Sequence, residues 1–146
     1  IDETIPFLPG LDGNKMSKSY KNFIDLFAEE KKLQKQINQI KTDSLEPGER
    51  KPKNSILYEY FKCFGNKKDL NQIDNYFNDG MGWGDLKKEL FRLINKKISP
   101  FRERYNNLIT HPEEVEKYLL EGETKALEIA SNNLREIRTL VGIKTL

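Results

Sequence analysis

The chain has 146 residues, 33% charged and 36% hydrophobic, with a formal net charge of +2 and a mean hydropathy of −0.75. That length suits one domain able to bury its own core, and a net charge so close to zero excludes a global field drawing the chain onto nucleic acid, so any such contact must come from local patches. No apolar run approaches the ~20 residues of a membrane span, and a single cysteine, Cys63, excludes an intrachain disulfide and fits a reducing compartment.

Residues 1–22 read as extended and turn structure. Ile1, Ile5 and Phe7 are expected at the edge of a preceding domain. Leu8-Pro9-Gly10-Leu11-Asp12-Gly13 is turn chemistry: Pro9 fixes φ, and Asp12-Gly13 is a tight-turn pair in which glycine takes positive φ. Lys15-Met16-Ser17-Lys18-Ser19 follows, two ammonium groups separated by small hydroxyl residues. Lysine is a mobile point charge suited to non-directional phosphate contact. Ser17 and Ser19 can donate to phosphate oxygens or cap a helix. Converging positive charge on flexible backbone suits a leaving pyrophosphate, and such a loop can close over ATP and reopen. Residue types alone favour a solvated basic turn before a helix. The ordered pentapeptide after a glycine-rich turn selects the phosphate reading.

Asn22 is placed to cap a helix carrying Phe23, Asp25, Leu26 and Phe27. A second helix is expected over 29–40, with Leu33, Ile37 and Ile40 at helical spacing. Residues 43–53 are a charged loop punctuated by Pro47-Gly48 and Pro52. Asn54 or Ser55 caps the next helix, whose inward face is Ile56, Leu57, Tyr60, Phe61 and Phe64, and Gly65-Asn66 ends it. Cys63 lies in that aromatic-rich stretch and is expected to be a small buried residue. A further helix carries Leu70, Ile73, Tyr76 and Phe77 and stops near Asp79-Gly80. Gly80, Gly82 and Gly84 surround Met81 and Trp83, a close-packed turn whose indole is expected to plug the core.

From Asp85 the apolar phase is continuous: Leu86, Leu90, Leu93, Ile94, Ile98, Phe101, Tyr105, Leu108 and Ile109 share one face. The phase survives Pro100, which predicts one long helix kinked there. His111-Pro112-Glu113-Glu114 starts the last helix, with proline at its first position and acids near the positive end of the dipole. His111, the one histidine, is assigned a capping role rather than a catalytic one. The expected buried stripe of this helix is Val115, Leu119, Ala126, Ala130, Leu134, Ile137 and Val141, with Gly122 marking a close helix crossing. The fold class is all-α, a helical bundle over 23–146 behind a non-helical leader over 1–22.

Lys88, Arg92 and Lys96 fall at i, i+4 and i+8, opposite the apolar stripe of the long helix. Residues 86–104 hold seven basic groups (Lys87, Lys97, Arg102 and Arg104 complete the set) against the acids Glu89 and Glu103. Such a face can follow a phosphate backbone, and it can equally be a solvated helix surface; both readings stay open. Unpaired RNA bases are held by aromatic or arginine stacking and edge hydrogen bonds, and Arg102, Arg104 and Tyr105 supply those groups together. No Cys, His, Asp and Glu cluster has metal-ligand spacing, so no metal site is assigned.

Lys15 to Ser19 spells KMSKS, the phosphate-loop signature of class I aminoacyl-tRNA synthetases. Over three stretches, Leu8–Asn22, Ile37–Ser44 and Gly80–Tyr105, the chain resembles the tryptophanyl-tRNA synthetase family. The pentapeptide alone gives only class I; the Leu-Pro-Gly-Leu-Asp-Gly lead and Thr42-Asp43-Ser44 point to tryptophan, with the tyrosyl-tRNA synthetases as the neighbouring alternative. The resemblance implies the C-terminal part of such an enzyme, with the Rossmann sheet, the HIGH element and the amino-acid pocket upstream. It implies ATP binding by Lys15, Met16, Ser17, Lys18 and Ser19, with Lys15 and Lys18 catalytic and Mg2+ carried by the ATP phosphates. It further implies tryptophan and tRNA(Trp) as substrates, a homodimer at full length, a cytoplasmic location, and a helical part that receives the anticodon arm. Asn14 departs from the pattern, standing where the family often has arginine. Thr42-Asp43-Ser44 is expected to close a turn rather than touch tRNA. Alone, the 146 residues are expected to lack activity, and the rival description is a helical RNA-binding or interaction module without catalysis.

Overall fold

A computed structural model describes residues 8–143. Among these the chain is all-α: α1 (Glu30–Asn38), α2 (Ile56–Phe64), α3 (Lys67–Asn78), α4 (Trp83–Thr110) and α5 (Pro112–Leu140). The only extended pairing among the described residues is an isolated antiparallel bridge between Pro9 and Lys15. Ile1, Ile5 and Phe7 lie outside the described residues. Two compact units are present, one running to Glu103 and one from Arg104 onward. The described leader belongs to the same compact unit as the first helices.

Local chemistry sets the helix ends. Ser55 accepts from the Tyr58 amide at 3.4 Å and starts α2. Asn66 and Asp69 form a reciprocal capping box: Asn66 Oδ1 accepts from the amides of Lys68 and Asp69, while Asp69 Oδ2 accepts from the Asn66 amide, each at 2.9 Å. Only Gly65, in extended backbone, separates α2 from this cap. Gly80 has φ 73° and lies against the 43–53 loop. A Cβ there would meet the Gly48 carbonyl carbon at 2.4 Å, so the turn tolerates no side chain.

The core of the first unit draws Leu33, Ile37 and Ile40 from α1 and its exit, Leu57, Tyr60 and Phe61 from α2, and Ile73 and Phe77 from α3. Leu86, Leu90 and Ile94 from α4 complete it, with Leu11 and Ile24 from the leader. Phe77 is its aromatic centre, meeting Tyr58, Phe61 and Trp83 edge-on at centroid distances of 5.1, 6.1 and 6.1 Å. Trp83 is half-buried, an edge contact of the core rather than a full plug. Lys51, by contrast, is buried: its Nζ donates to the carbonyls of Glu49 (2.9 Å) and Glu46 and lies 5.7 Å over the Trp83 ring. The ammonium thus ties together two carbonyls of the charged loop beneath the indole.

Several expectations are corrected. Residues 23–28 are not helical. Their backbone groups are taken by α1 instead: the Asp25 amide donates to Gln36 Oε1 at 3.1 Å, and Gln36 Nε2 donates to the Phe23 carbonyl at 3.3 Å. Asn22 turns back into the leader rather than capping a helix. Cys63 is exposed, on the outward face of α2.

The second unit comprises the end of α4, the turn at His111, and α5. α4 is one helix containing Pro100, but Phe101 and Ile109 are 63% and 60% exposed, so the apolar stripe expected to continue past Pro100 is uncovered there. His111 does cap, but the opposite helix end: its Nδ1 lies 2.9 Å from the Asn107 carbonyl of α4, and it gives α5 no side-chain bond. No residue of α5 is buried, including Val115, Leu119, Ala126, Ala130, Leu134 and Ile137, and neither is Val141 at its C-cap. Gly122 has open space where its Cβ would be, so it marks no close crossing. The helix ends in a Schellman pattern at Gly142 (φ 74°), with the Ile143 amide donating to the Arg138 carbonyl at 2.9 Å.

Candidate functional site

The leader is tied at both ends and open in the middle. Its first anchor is Pro9, whose carbonyl accepts from the buried Tyr60 hydroxyl at 2.6 Å. Desolvation pushes the Tyr60 phenol up to about 12, so the hydroxyl keeps its proton and donates across the ordinary pH range. Leu11 is the second anchor: its amide donates to the Asn22 carbonyl at 2.8 Å and its carbonyl accepts from the Lys41 amide at 2.8 Å.

Asn22 closes the loop from the far side. It is buried, and its side chain uses both ends. Oδ1 accepts from the Ser17 amide at 2.7 Å, while Nδ2 donates to Asp12 Oδ1 at 2.8 Å and to the Lys15 carbonyl at 3.2 Å. One side chain thus joins the turn before the pentapeptide to its first and third residues. Gly10 makes room for it, since a Cβ there would sit 2.4 Å from Asn22 Nδ2. Asp12 is the second node. The Asn14 side chain, and after it that of Asn22, holds the Asp12 carboxyl below the usual carboxylate range. Asn14, the residue that departs from the family pattern, donates to Asp12 through its amide (3.1 Å) and its Nδ2 (3.0 Å).

Within this frame Lys15, Lys18 and Ser19 are exposed, Met16 and Ser17 half-buried. Met16 packs against the core, while Lys15 and Lys18 face solvent. Neither Lys15 nor Lys18 makes an ion pair with a described residue. Lys21 takes φ 53°, and its amide bonds the Lys18 carbonyl at 3.2 Å, turning the chain sharply after the pentapeptide. The arrangement is a basic loop with fixed ends and two unneutralised ammonium groups. Thr42 and Asp43 line a cavity of about 300 Å3 together with Asp12 of the leader and Ser55, the N-cap of α2. Among the described residues no group of three or more His, Cys, Asp and Glu is arranged to hold a metal ion, and no helix is long and apolar enough to cross a membrane.

The basic candidates on α4 do not form one uniform row. Lys88 pairs with Asp85 at 2.8 Å, and Arg92 pairs with Glu89. Lys96 is exposed, and no described acid pairs with it. Lys87 points back to α1, where its Nζ donates to the Asn38 carbonyl at 2.9 Å; burial holds its pKa below the ordinary lysine value. Arg102 departs most from the expected exposed face. It is 7% exposed, donates to Asn95 Oδ1 at 2.9 Å, and lies 4.0 Å from Glu30. Its Nε and Nη2 are buried without a partner among the described groups. Arg104 and Tyr105 are exposed and belong to the second unit.

Asn22, Gly10 and Asp12 escaped the sequence reading as site residues. The signal available was composition, an Asp-Gly turn and an asparagine flanking the pentapeptide, but an asparagine before apolar residues also reads as a helix cap.

Residues 3–99 match the family model described as tRNA synthetases class I (W and Y). The tryptophan–tRNA ligase of Neisseria meningitidis is 43% identical over 147 residues, a match covering 100% of this chain and 44% of that protein. The tryptophan–tRNA ligase of Pseudomonas syringae pv. tomato is 41% identical, covering 99% and 32%. Among solved structures, tryptophanyl-tRNA synthetase from Campylobacter jejuni, complexed with ADP and tryptophan, superposes with a TM-score of 0.89 at 35% identity, covering 97% of this chain and 45% of that one. The chain thus spans less than half the length of these relatives.

Proposed function

The chain belongs to the class I tRNA synthetases of the W and Y family, and we propose that it is the part of a tryptophan–tRNA ligase that supplies the phosphate-binding loop and a tRNA-binding helical body. The observation that carries this reading is the loop itself. Asn22 and Asp12 fix its ends, while the ammonium groups of Lys15 and Lys18 stay exposed and unpaired. The tryptophan–tRNA ligases among the relatives favour tryptophan over tyrosine.

In the complete protein, the tryptophan carboxylate attacks the α-phosphate of ATP and pyrophosphate leaves, and the aminoacyl group then passes to the tRNA 3′ end. The charge that grows on the departing pyrophosphate is met by Lys15 and Lys18, which need no partner displaced first. Ser17 holds the loop through its amide, and the hydroxyls of Ser17 and Ser19 are left for phosphate oxygens. The donor set is ammonium and hydroxyl rather than carboxylate, which suits phosphate and not a divalent ion; magnesium would travel on the ATP phosphates. The exposed cations of α4, Lys96 above all, are the candidates for following the tRNA backbone.

The test is pyrophosphate exchange by the full-length protein. Lys18→Ala should slow tryptophan-dependent exchange by ~10²–10³, the scale of losing one preorganised charge. An unchanged rate would remove Lys18 from the chemistry. For the 146 residues alone, the same reading predicts weak ATP binding and retained tRNA binding.

A further inference from the structure

The two exposed lysines of the phosphate loop stand on differently held backbone. The Lys15 carbonyl accepts from Asn22 Nδ2 at 3.2 Å, and the same side chain takes the Ser17 amide at 2.7 Å and Asp12 Oδ1 at 2.8 Å. Lys18 lies outside that set. Its carbonyl accepts from the Lys21 amide at 3.2 Å, within the turn that Lys21 makes at φ 53°. We propose that Asn22 is a positioning residue for the step that releases pyrophosphate, acting through Lys15: it holds Lys15 as the preset cation and leaves Lys18 as the mobile one. The proposal rests on the reading of Lys15 to Ser19 as a phosphate-binding loop.

The position demands an acceptor and a donor on one short arm. Ser17 presents an N–H, whereas the Lys15 carbonyl and the Asp12 carboxylate present oxygens. Among short side chains asparagine carries both functions on separate atoms. An aspartate would still accept from Ser17, but its second oxygen would face the Asp12 carboxylate and the Lys15 carbonyl. The amide is also boxed in. Asn22 is 6% exposed, and a Cβ on Gly10 would lie 2.4 Å from its Nδ2 and 2.7 Å from its Cγ. Asp12 is fixed in turn by the amide and the side chain of Asn14. The series Asn14, Asp12, Asn22 therefore ends on the backbone of Lys15.

What this does for the reaction follows from the nature of lysine. Its stem is flexible, so a fixed backbone does not fix the ammonium; it fixes the origin from which the ammonium reaches. A charge already in place stabilises the departing pyrophosphate without reorganisation at the moment of reaction. Lys15 is tethered through its own carbonyl and reaches from a set origin. Lys18 follows the last bond that Asn22 makes, to the Ser17 amide, and moves with the turn behind it. Two cations of unequal freedom suit a loop that must hold phosphates and then let them go.

The experiment is pyrophosphate exchange by the full-length protein carrying Asn22→Ala, Lys15→Ala and Lys18→Ala, singly and in pairs. Asn22→Ala alone should lower kcat by up to ~10²-fold, the scale of misplacing a catalytic group by about 1 Å. The KM for tryptophan and the transfer from preformed adenylate to tRNA should not change. Added to Lys15→Ala, the same substitution should cost less than about threefold, because groups that act as a unit are not additive. Added to Lys18→Ala, it should keep most of its effect. Asn22→Asp should be as slow as the alanine form, and Asp12→Asn placed beside it should recover about tenfold, the scale of one restored hydrogen bond. That pair carries the test where Asn22→Ala does not fold, since aspartate keeps the acceptor for Ser17. An equal factor in both lysine backgrounds would overturn the proposal, because Asn22 would then support the loop at large. Equal slowing of exchange and of transfer to tRNA would overturn it as well. Normal exchange in Asn22→Ala, beside slow exchange in both lysine variants, would sink this assignment and spare the phosphate loop. Normal exchange in Lys15→Ala and Lys18→Ala would remove the phosphate-loop reading, and the role of Asn22 with it.

Discussion

The unit that runs to Glu103 and the unit that begins at Arg104 are written in the same helical grammar, and they bury very different amounts of it. In the first, apolar residues at helical spacing become a core in which ten described apolar side chains, Tyr60, Phe61 and Phe77 among them, fall below 2% exposure. In the second, α5 carries Val115, Leu119, Leu134 and Ile137 at the same spacing and buries none of them. Periodicity states which residues share a face. Burial needs a second face to meet it, and pattern within one helix carries no information about that. A reading that equates stripe with core therefore succeeds up to Pro100 and fails after it.

The contrast breaks most visibly at Phe77. Phe77→Ala removes the ring that Tyr58, Phe61 and Trp83 all meet edge-on, and it should cost about 3–5 kcal/mol, the range for truncating a buried aromatic. Urea unfolding followed by tryptophan fluorescence reads this directly, because Trp83 is the single tryptophan and touches Phe77. A loss under 1 kcal/mol would mean that the first unit is no better packed than the second.

Next in size is the leader, where the core reaches the functional loop. Asn22→Ala deletes one acceptor and one donor from a buried position and leaves the Ser17 amide unserved. The expected cost is about 1–3 kcal/mol, confined to the leader. Hydrogen exchange at Leu11 and Ser17 should quicken while amides of α2 and α3 keep their protection. Uniform loss across the unit would show that Asn22 supports the core at large rather than the loop.

Much of this was legible in the sequence, and the failures share a cause. Ser55 and the α2 to α4 core faces follow from local rules, because caps and stripes are decided within a turn or two of chain, whereas Asn66, read as the end of α2, caps the start of α3. Residues 23–28 were misassigned because Gln36, a turn and more into α1, supplies the hydrogen bonds that a helix would have made internally. Lys51 reads as one more loop charge, yet two carbonyls and an indole bury it. Arg102 sits in the expected exposed row, yet Asn95 and Glu30 draw it inward. Of the candidate site, the pentapeptide was legible by order alone. The side chain that clamps it was not, since the bonds from Asn22 to Asp12 and Ser17 depend on a tertiary turn.

A smaller effect links leader and core through pH. The Tyr60 phenol is raised from 10.0 to about 12 by desolvation, so the folded state holds that proton more tightly than the unfolded chain. Its contribution to stability is complete below pH 10 and is lost as pH rises through about 12. Tyr58 is also raised to about 12, first by desolvation and then by its bond to Asp74. Tyr60→Phe should therefore cost about 1 kcal/mol at neutral pH through the lost bond to Pro9. Between pH 10 and 12 it should reduce, without abolishing, the fall of stability with pH. An unchanged alkaline profile would mean that Tyr60 ionises freely and that the leader is loosely held.

The smallest expected effect is the sharpest control on the contrast. Leu119 is 67% exposed and Leu127 is 62% exposed. Truncating either to alanine leaves no cavity and removes little surface from contact, so each should change the stability of the 146-residue chain by less than about 0.5 kcal/mol. Alanine is also the better helix former, which offsets part of even that loss. Run beside Phe77→Ala under the same denaturant series, the pair separates pattern from packing: the same kind of truncation, on the same kind of helical stripe, differing only in whether another surface lies against it. If Leu119→Ala instead cost 2 kcal/mol or more, the face of α5 would be covered in solution, and the two units would differ in degree rather than in kind.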